Sequence, residues 1–170
     1  MQKRNASLLA VLAAMSLFST APARADDEDS FKARLNGYQE TPAVSSTGRG
    51  EFRARVHGED SIDWDLRYDN LEGTTTGAAH VHLGQRDVAG GVSFFLCGGT
   101  KPPCTPGSGS FSGTATAADI IGPAPQGIAP GEIAEIIRAM RAGKTYANVH
   151  TDKHPGGEIR GQIRGDREDD

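Results

Sequence analysis

Between Phe52 and Tyr68, apolar and charged side chains alternate with a period of two, and that pattern excludes an amphipathic helix. Phe52, Ala54 and Val56 are interleaved with Arg53 and Arg55. Ile62, Trp64, Leu66 and Tyr68 are interleaved with Asp63, Asp65, Arg67 and Asp69. Successive side chains of a strand leave opposite faces, so each run reads as a strand with one wet face and one buried face. Gly58-Glu59-Asp60 between them reads as a hairpin turn. Phe31, Ala33 and Leu35 alternate in the same way with Lys32 and Arg34. Further strands are expected over residues 78–84, 91–97 and 109–116, and two more flank the turn at 152–157. About eight strands with turn signals at this spacing predict an all-β, antiparallel sandwich or barrel. Trp64, Tyr68 and Tyr38 are expected in its core.

One stretch has the other period. Over residues 130–143, Ile133, Ile136, Ile137 and Met140 share one helical stripe. Pro130 opens the stretch, Gly143 closes it, Glu132 and Glu135 suit its start and Arg138 and Arg141 its end. This predicts one short amphipathic helix, read as cover for the sandwich end. Thr116, with Asp119 three residues on, has the pattern of a capped turn.

Residues 1–25 read as an export signal, with Lys3 and Arg4 ahead of an apolar run and Ala23-Arg24-Ala25 as the cleavage pattern. The run from Ala6 to Phe18 is 13 residues, against the ~20 needed to cross a bilayer. Cleavage leaves a chain starting near Asp26 with 15 basic and 22 acidic residues, a net charge of −7. That balance argues against nucleic acid or an anionic membrane as partner. The organisation expected is an acidic segment at 26–30, one domain over 31–165 and an acidic tail at 166–170, in the periplasm or outside the cell. Cys97 and Cys104, an even pair close in an exported chain, read as a disulfide worth about 2.5 kcal/mol by loop entropy.

Four motifs occur in order: Leu35-Asn36-Gly37-Tyr38-Gln39-Glu40-Thr41-Pro42; Ala79-His80-Val81-His82-Leu83-Gly84; Gly143-Lys144-Thr145-Tyr146 leading into Asn148-Val149-His150-Thr151; and Gly157-Glu158-Ile159-Arg160-Gly161-Gln162. In this order they resemble the CHRD domain, the repeat of chordin and of many exported bacterial proteins, over residues 31 to 165. The resemblance implies an immunoglobulin-like all-β fold and prescribes no activity. Chordin sequesters growth factors, and that role does not transfer to a single domain.

The chemistry rests on histidines. His80 and His82, at i and i+2 of a strand, leave the same face, and His150 also points away from the apolar residues of its strand. If the two strands are neighbours, three imidazoles meet, a set that suits copper or zinc. A shared ion needs ring nitrogens within about 4 Å of one another. His154 is a weaker fourth ligand, and Glu158 or Asp152 is expected to accept a ring N–H. Glu158, Arg160 and Gln162 read either as a polar patch orienting a histidine or as an exposed cross-strand ladder; motif order pairs Glu40 with Arg160. Two readings of the histidines stay open: a metal site, or hydrogen bonding to loop carbonyls and carboxylates. His57, at a hairpin end, reads as solvated.

The arrangement is also distantly similar to copper–zinc superoxide dismutase, a Greek-key sandwich with a His-x-His strand and a later Val-His. It departs where that chemistry is decided, since no histidine lies between His82 and His150 to bridge two metals. Nucleotide loops, serine elbows and HExxH are missing too. The expectation is therefore an exported, non-catalytic Greek-key sandwich, binding copper or zinc. The alternatives are an interaction module for a protein or envelope partner, and a mononuclear copper redox enzyme.

Overall fold

The computed structural model describes residues 29–166. The expected leader at 1–25 lies outside the described residues, as do 26–28 and 167–170. The strands are β1 (Asp29–Asn36), β2 (Arg49–His57), β3 (Ser61–Asp69), β4 (Thr76–Leu83), β5 (Val92–Cys97), β6 (Gly109–Thr116), β7 (Thr145–Thr151), β8 (Ile159–Gln162) and β9 (Arg164–Gly165), with one helix, α1 (Ile133–Arg141). They form one antiparallel sheet in the order β5-β4-β7-β8-β1-β2-β3-β6, to which β9 adds along β1. The edge strands β5 and β6 come into contact, so the sheet curls into a nearly closed barrel. The all-β antiparallel class expected from the alternation holds. Its two layers are halves of one continuous sheet.

The alternation explains the register. In β2–β3, Phe52 lies opposite Leu66, Ala54 opposite Trp64 and Val56 opposite Ile62, and all six are buried. Each large apolar side chain so removed from water stabilises the fold by roughly 1.5–3 kcal/mol. Their neighbours Arg53, Arg55, Asp63 and Asp65 stand exposed on the other face. Helix α1 buries Ile133, Ile136, Ile137 and Met140, the expected stripe. It stops at Gly143, whose φ of 63° is easy only for glycine. Thr116 and Asp119 form the expected capping box, and Cys97 and Cys104 are disulfide-bonded.

One expectation is corrected. Tyr38 is 73% exposed while Trp64 and Tyr68 are buried, because it sits on a 3-10 turn after β1 rather than on a strand. His57 is paired with Asp63 across the β2–β3 hairpin, at 2.9 Å. Asp29 begins β1 and binds Arg141 at 2.6 Å, so the sheet starts two residues before the expected domain boundary.

Candidate metal centre

β4 and β7 are hydrogen-bonded neighbours, with Ala78 opposite His150, His80 opposite Asn148 and His82 opposite Tyr146. On one face of this pair, Ala79, Val81, Ala147 and Val149 enter the core. The period of two then sends His80, His82, Tyr146, Asn148 and His150 to the other face. Two register shifts against β5, at Ala79/His80 and at Val81/His82, adjust the strand beside each histidine.

That outer face is not wet. Ordered loop segments lie over it, leaving His80 only 9% and His82 only 6% exposed. His82 Nδ1 donates to the Gly90 carbonyl at 2.9 Å, and His150 Nδ1 donates to the Pro155 carbonyl at 2.9 Å. A carbonyl can only accept, so each neutral ring keeps its lone pair on Nε2. Phe95 packs edge-on against His80 and Tyr146 stacks flat on His82, both with ring centroids 4.6 Å apart. Arg160 lies over the far side of Tyr146, 3.5 Å from the ring centre.

One nitrogen from each of His80, His82 and His150 lies within 4.8 Å of the others. The ring centroids of His80 are 5.3 Å from His82 and 4.9 Å from His150. The bound is looser than the about 4 Å that a shared ion requires. Two observations fit these residues to a cation. His80 Nδ1 and His82 Nε2 are buried with no hydrogen-bond partner among the described residues, a costly state unless something occupies the lone pairs. In addition, His150 Nε2 faces Asn148 Oδ1 at 3.1 Å. With Nδ1 donating elsewhere, both atoms are acceptors, so either the amide is turned or a cation lies near them.

Burial, reinforced by the neighbouring imidazoles, pulls His80 down to about 3. Burial likewise takes His82 down to about 4 against the Gly90 hydrogen bond, with His150 and Arg160 adding smaller charge repulsion. His150 is lowered by burial. All three rings are thus neutral at neutral pH, the form that ligates.

The remaining predicted residues are placed elsewhere. His154 is outside the three-histidine group; it sits in the turn after β7, where its backbone N–H donates to Thr151 Oγ1 at 3.2 Å. Glu158 does not reach a ring. It precedes β8, fully buried, and accepts from Ser46 Oγ, Thr151 Oγ1 and the Glu72 and Gly73 amides. Those donors hold its carboxyl below the usual range although burial opposes them. Asp152 accepts from Thr74 Oγ1 and the Thr75 amide. The acceptors assigned to these carboxylates are loop carbonyls instead.

No exposed ladder forms either. Arg160 is 2% exposed and donates to Thr41 Oγ1 and to the Gln85 and Val88 carbonyls. Gln162 Nε2 donates to the Gly84, Gly143 and Thr145 carbonyls. Glu40 feels the charge of Arg160, yet burial dominates and raises it to about 7. Sequence reasoning missed Tyr146 and Asn148 as neighbours of the rings, although the same alternation that aligned the histidines also aligns them.

A family model described as the CHRD domain matches residues 31–163. The chain belongs to the CHRD domain family. No match was found among curated proteins or among solved structures. In this CHRD domain the second, third and fourth motifs all converge on one place: His80 and His82 from the second, Tyr146, Asn148 and His150 from the third, and Arg160 from the fourth. The first motif adds Glu40 and Thr41 behind them. The Cys97–Cys104 bond is chemistry of an oxidising compartment. No helix among the described residues is long and apolar enough to cross a membrane.

Proposed function

We propose that this CHRD domain is an exported, non-catalytic protein that holds one copper or zinc ion through His80, His82 and His150. The observation that carries the reading is the convergence of three imidazole nitrogens within 4.8 Å, two of the rings having a buried nitrogen without a partner. An all-imidazole set suits both metals. Bound, the ion would supply a Lewis-acidic centre, and copper would add one-electron chemistry. The Gly90 and Pro155 carbonyls would fix the tautomers of His82 and His150. The groups packed on the rings are Phe95, Tyr146 and Asn148, none suited to general acid–base work at neutral pH. This favours holding a metal over turning over a substrate. Export rests on the leader pattern of residues 1–25 together with the disulfide.

Calorimetric titration of the chelator-treated protein with Cu(II) or Zn(II) is expected to give one equivalent bound, with a raised melting temperature. His82→Ala should abolish binding. A melting temperature indifferent to both metals would end the proposal. Superoxide turnover by copper-loaded protein would move the reading to the redox alternative. Protein recovered outside the cytoplasm should begin near Asp26.

A further inference from the structure

The barrel has a second feature that the histidines do not use. Three adjoining concavities share Arg86 and Gln162, and the largest has a volume of about 520 Å³. Their cationic lining comprises Lys32, Arg34, Arg53, Arg86, Lys144 and Arg164, besides the buried Arg160. Glu51 and Asp87 are the only carboxylates among the lining residues. This concentration of positive charge stands in a chain whose net charge is −4.

The register sets part of this cluster against like charge, although Arg34 lies opposite Glu51 and Arg53 also lies opposite Asp65. Arg164 on β9 lies opposite Lys32 on β1, and Lys32 lies opposite Arg53 on β2. Three cations therefore run in a row across three strands, and like charges directly opposite destabilise a sheet. Asp166 answers Lys32 at 3.6 Å and Glu51 answers Arg53 at 2.9 Å. Arg34, Arg86, Lys144 and Arg164 are exposed.

Tyr38 marks one end. It is the most exposed large hydrophobic side chain among the described residues, at 73%, and it lines the concavity that also holds Gln39, Arg86 and Asp87. An open aromatic face beside guanidinium groups suits a sugar ring that carries an anion. The ring covers the tyrosine, while an arginine fork takes the carboxylate in two parallel hydrogen bonds. Gln39 and Asp87 offer acceptors for hydroxyl groups. Asp87 also disfavours a ligand with charge as dense as polyphosphate.

We propose that this groove binds an acidic polysaccharide whose sugar rings carry carboxylates, with Tyr38 as the stacking platform and Arg34, Arg86 and Arg164 as the anion contacts. Recognition is then independent of the histidine centre and persists in chelator.

The test is titration of the full folded chain, in chelator, with hexagalacturonate and with polyphosphate of the same number of charges. Hexagalacturonate is expected to bind at low salt and to weaken steeply as salt rises. Arg86→Glu combined with Arg164→Glu should remove that binding, and Tyr38→Ala should weaken it about tenfold, in the range of a lost aromatic stack. All three positions are exposed, so an unchanged melting temperature verifies folding. Absence of hexagalacturonate binding at low salt would overturn the assignment, as would binding that survives the charge reversal. Equal affinity for polyphosphate, with Tyr38→Ala indifferent, would reduce the groove to a non-specific cationic surface and also overturn it.

Discussion

Glu40 has the most informative single side chain outside the imidazoles. It is 7% exposed, and one carboxylate oxygen is buried without a hydrogen-bond partner. Burial outweighs the attraction of Arg160 and lifts it from 4.5 to about 7. Between those values the folded chain holds a proton that the unfolded chain has released, so stability falls with rising pH there. The contribution is complete below 4.5 and is lost as pH climbs through about 7. Glu40→Gln keeps the shape and removes the ionisation. Relative to wild type it should gain on the order of 1–3 kcal/mol between about pH 5 and about pH 8, read by urea unfolding in chelator; a difference identical at both pH values refutes the assignment. That His80 and His82 share a face, and that His150 leaves the apolar face of its own strand, was legible from the period of two; their meeting was not. The roles of Glu158 and Asp152 were not legible either, because a carboxylate's nearest donors depend on which loop crosses it.

At the scale of elements, the outer face of β4, β7 and β8 behaves as a second interior. Arg160, Tyr146 and His82 form one stack across three strands. The guanidinium also ties down the loop carbonyls of Gln85 and Val88, and Gly90 beyond them holds His82. Arg160→Ala should therefore cost about 1–3 kcal/mol by removing the guanidinium's hydrogen bonds to Thr41, Gln85 and Val88. It should also weaken Zn(II) binding about 10–100-fold, the usual penalty when support behind a ligand is lost. Arg160→Lys should not rescue affinity, since an ammonium neither stacks nor forks. Wild-type affinity in Arg160→Ala, measured by competition titration, would show that the stack supports the fold alone. Polar alternation ordinarily marks the wet face, which is why an exposed ladder stands as one of the two sequence readings of Glu158, Arg160 and Gln162. Loop cover reverses that inference without altering a single residue of the strands.

For the whole molecule, closure is the governing fact. The sheet's path begins at β5 and ends at β6, and the chain between these two edges carries the Cys97–Cys104 bond. Tyr68 reaches the same segment, donating to the Thr105 carbonyl at 2.7 Å. The paired substitution Cys97→Ala, Cys104→Ala should lower stability by roughly 2–3 kcal/mol. It should leave the protein folded, because both cysteines share one apolar core whose bulk comes from other residues, chiefly those of β1–β3 and α1. Complete unfolding of the pair variant at room temperature, seen by far-UV circular dichroism, would contradict that expectation.

Local periodicity by itself determined the main strands, the helix and their inward faces, because each depends on neighbours one to four residues apart; the family rests instead on four motifs in order along the chain. Periodicity also aligned His80 with His82. Tertiary structure alone decided that β4 and β7 are adjacent, that loops bury the polar face they share, and that Tyr38 stays in solvent. Those outcomes depend on which distant segments pack together, and backbone hydrogen bonds are identical whichever strand supplies them. Long-range packing therefore turned three polar positions into a dry cluster of imidazoles.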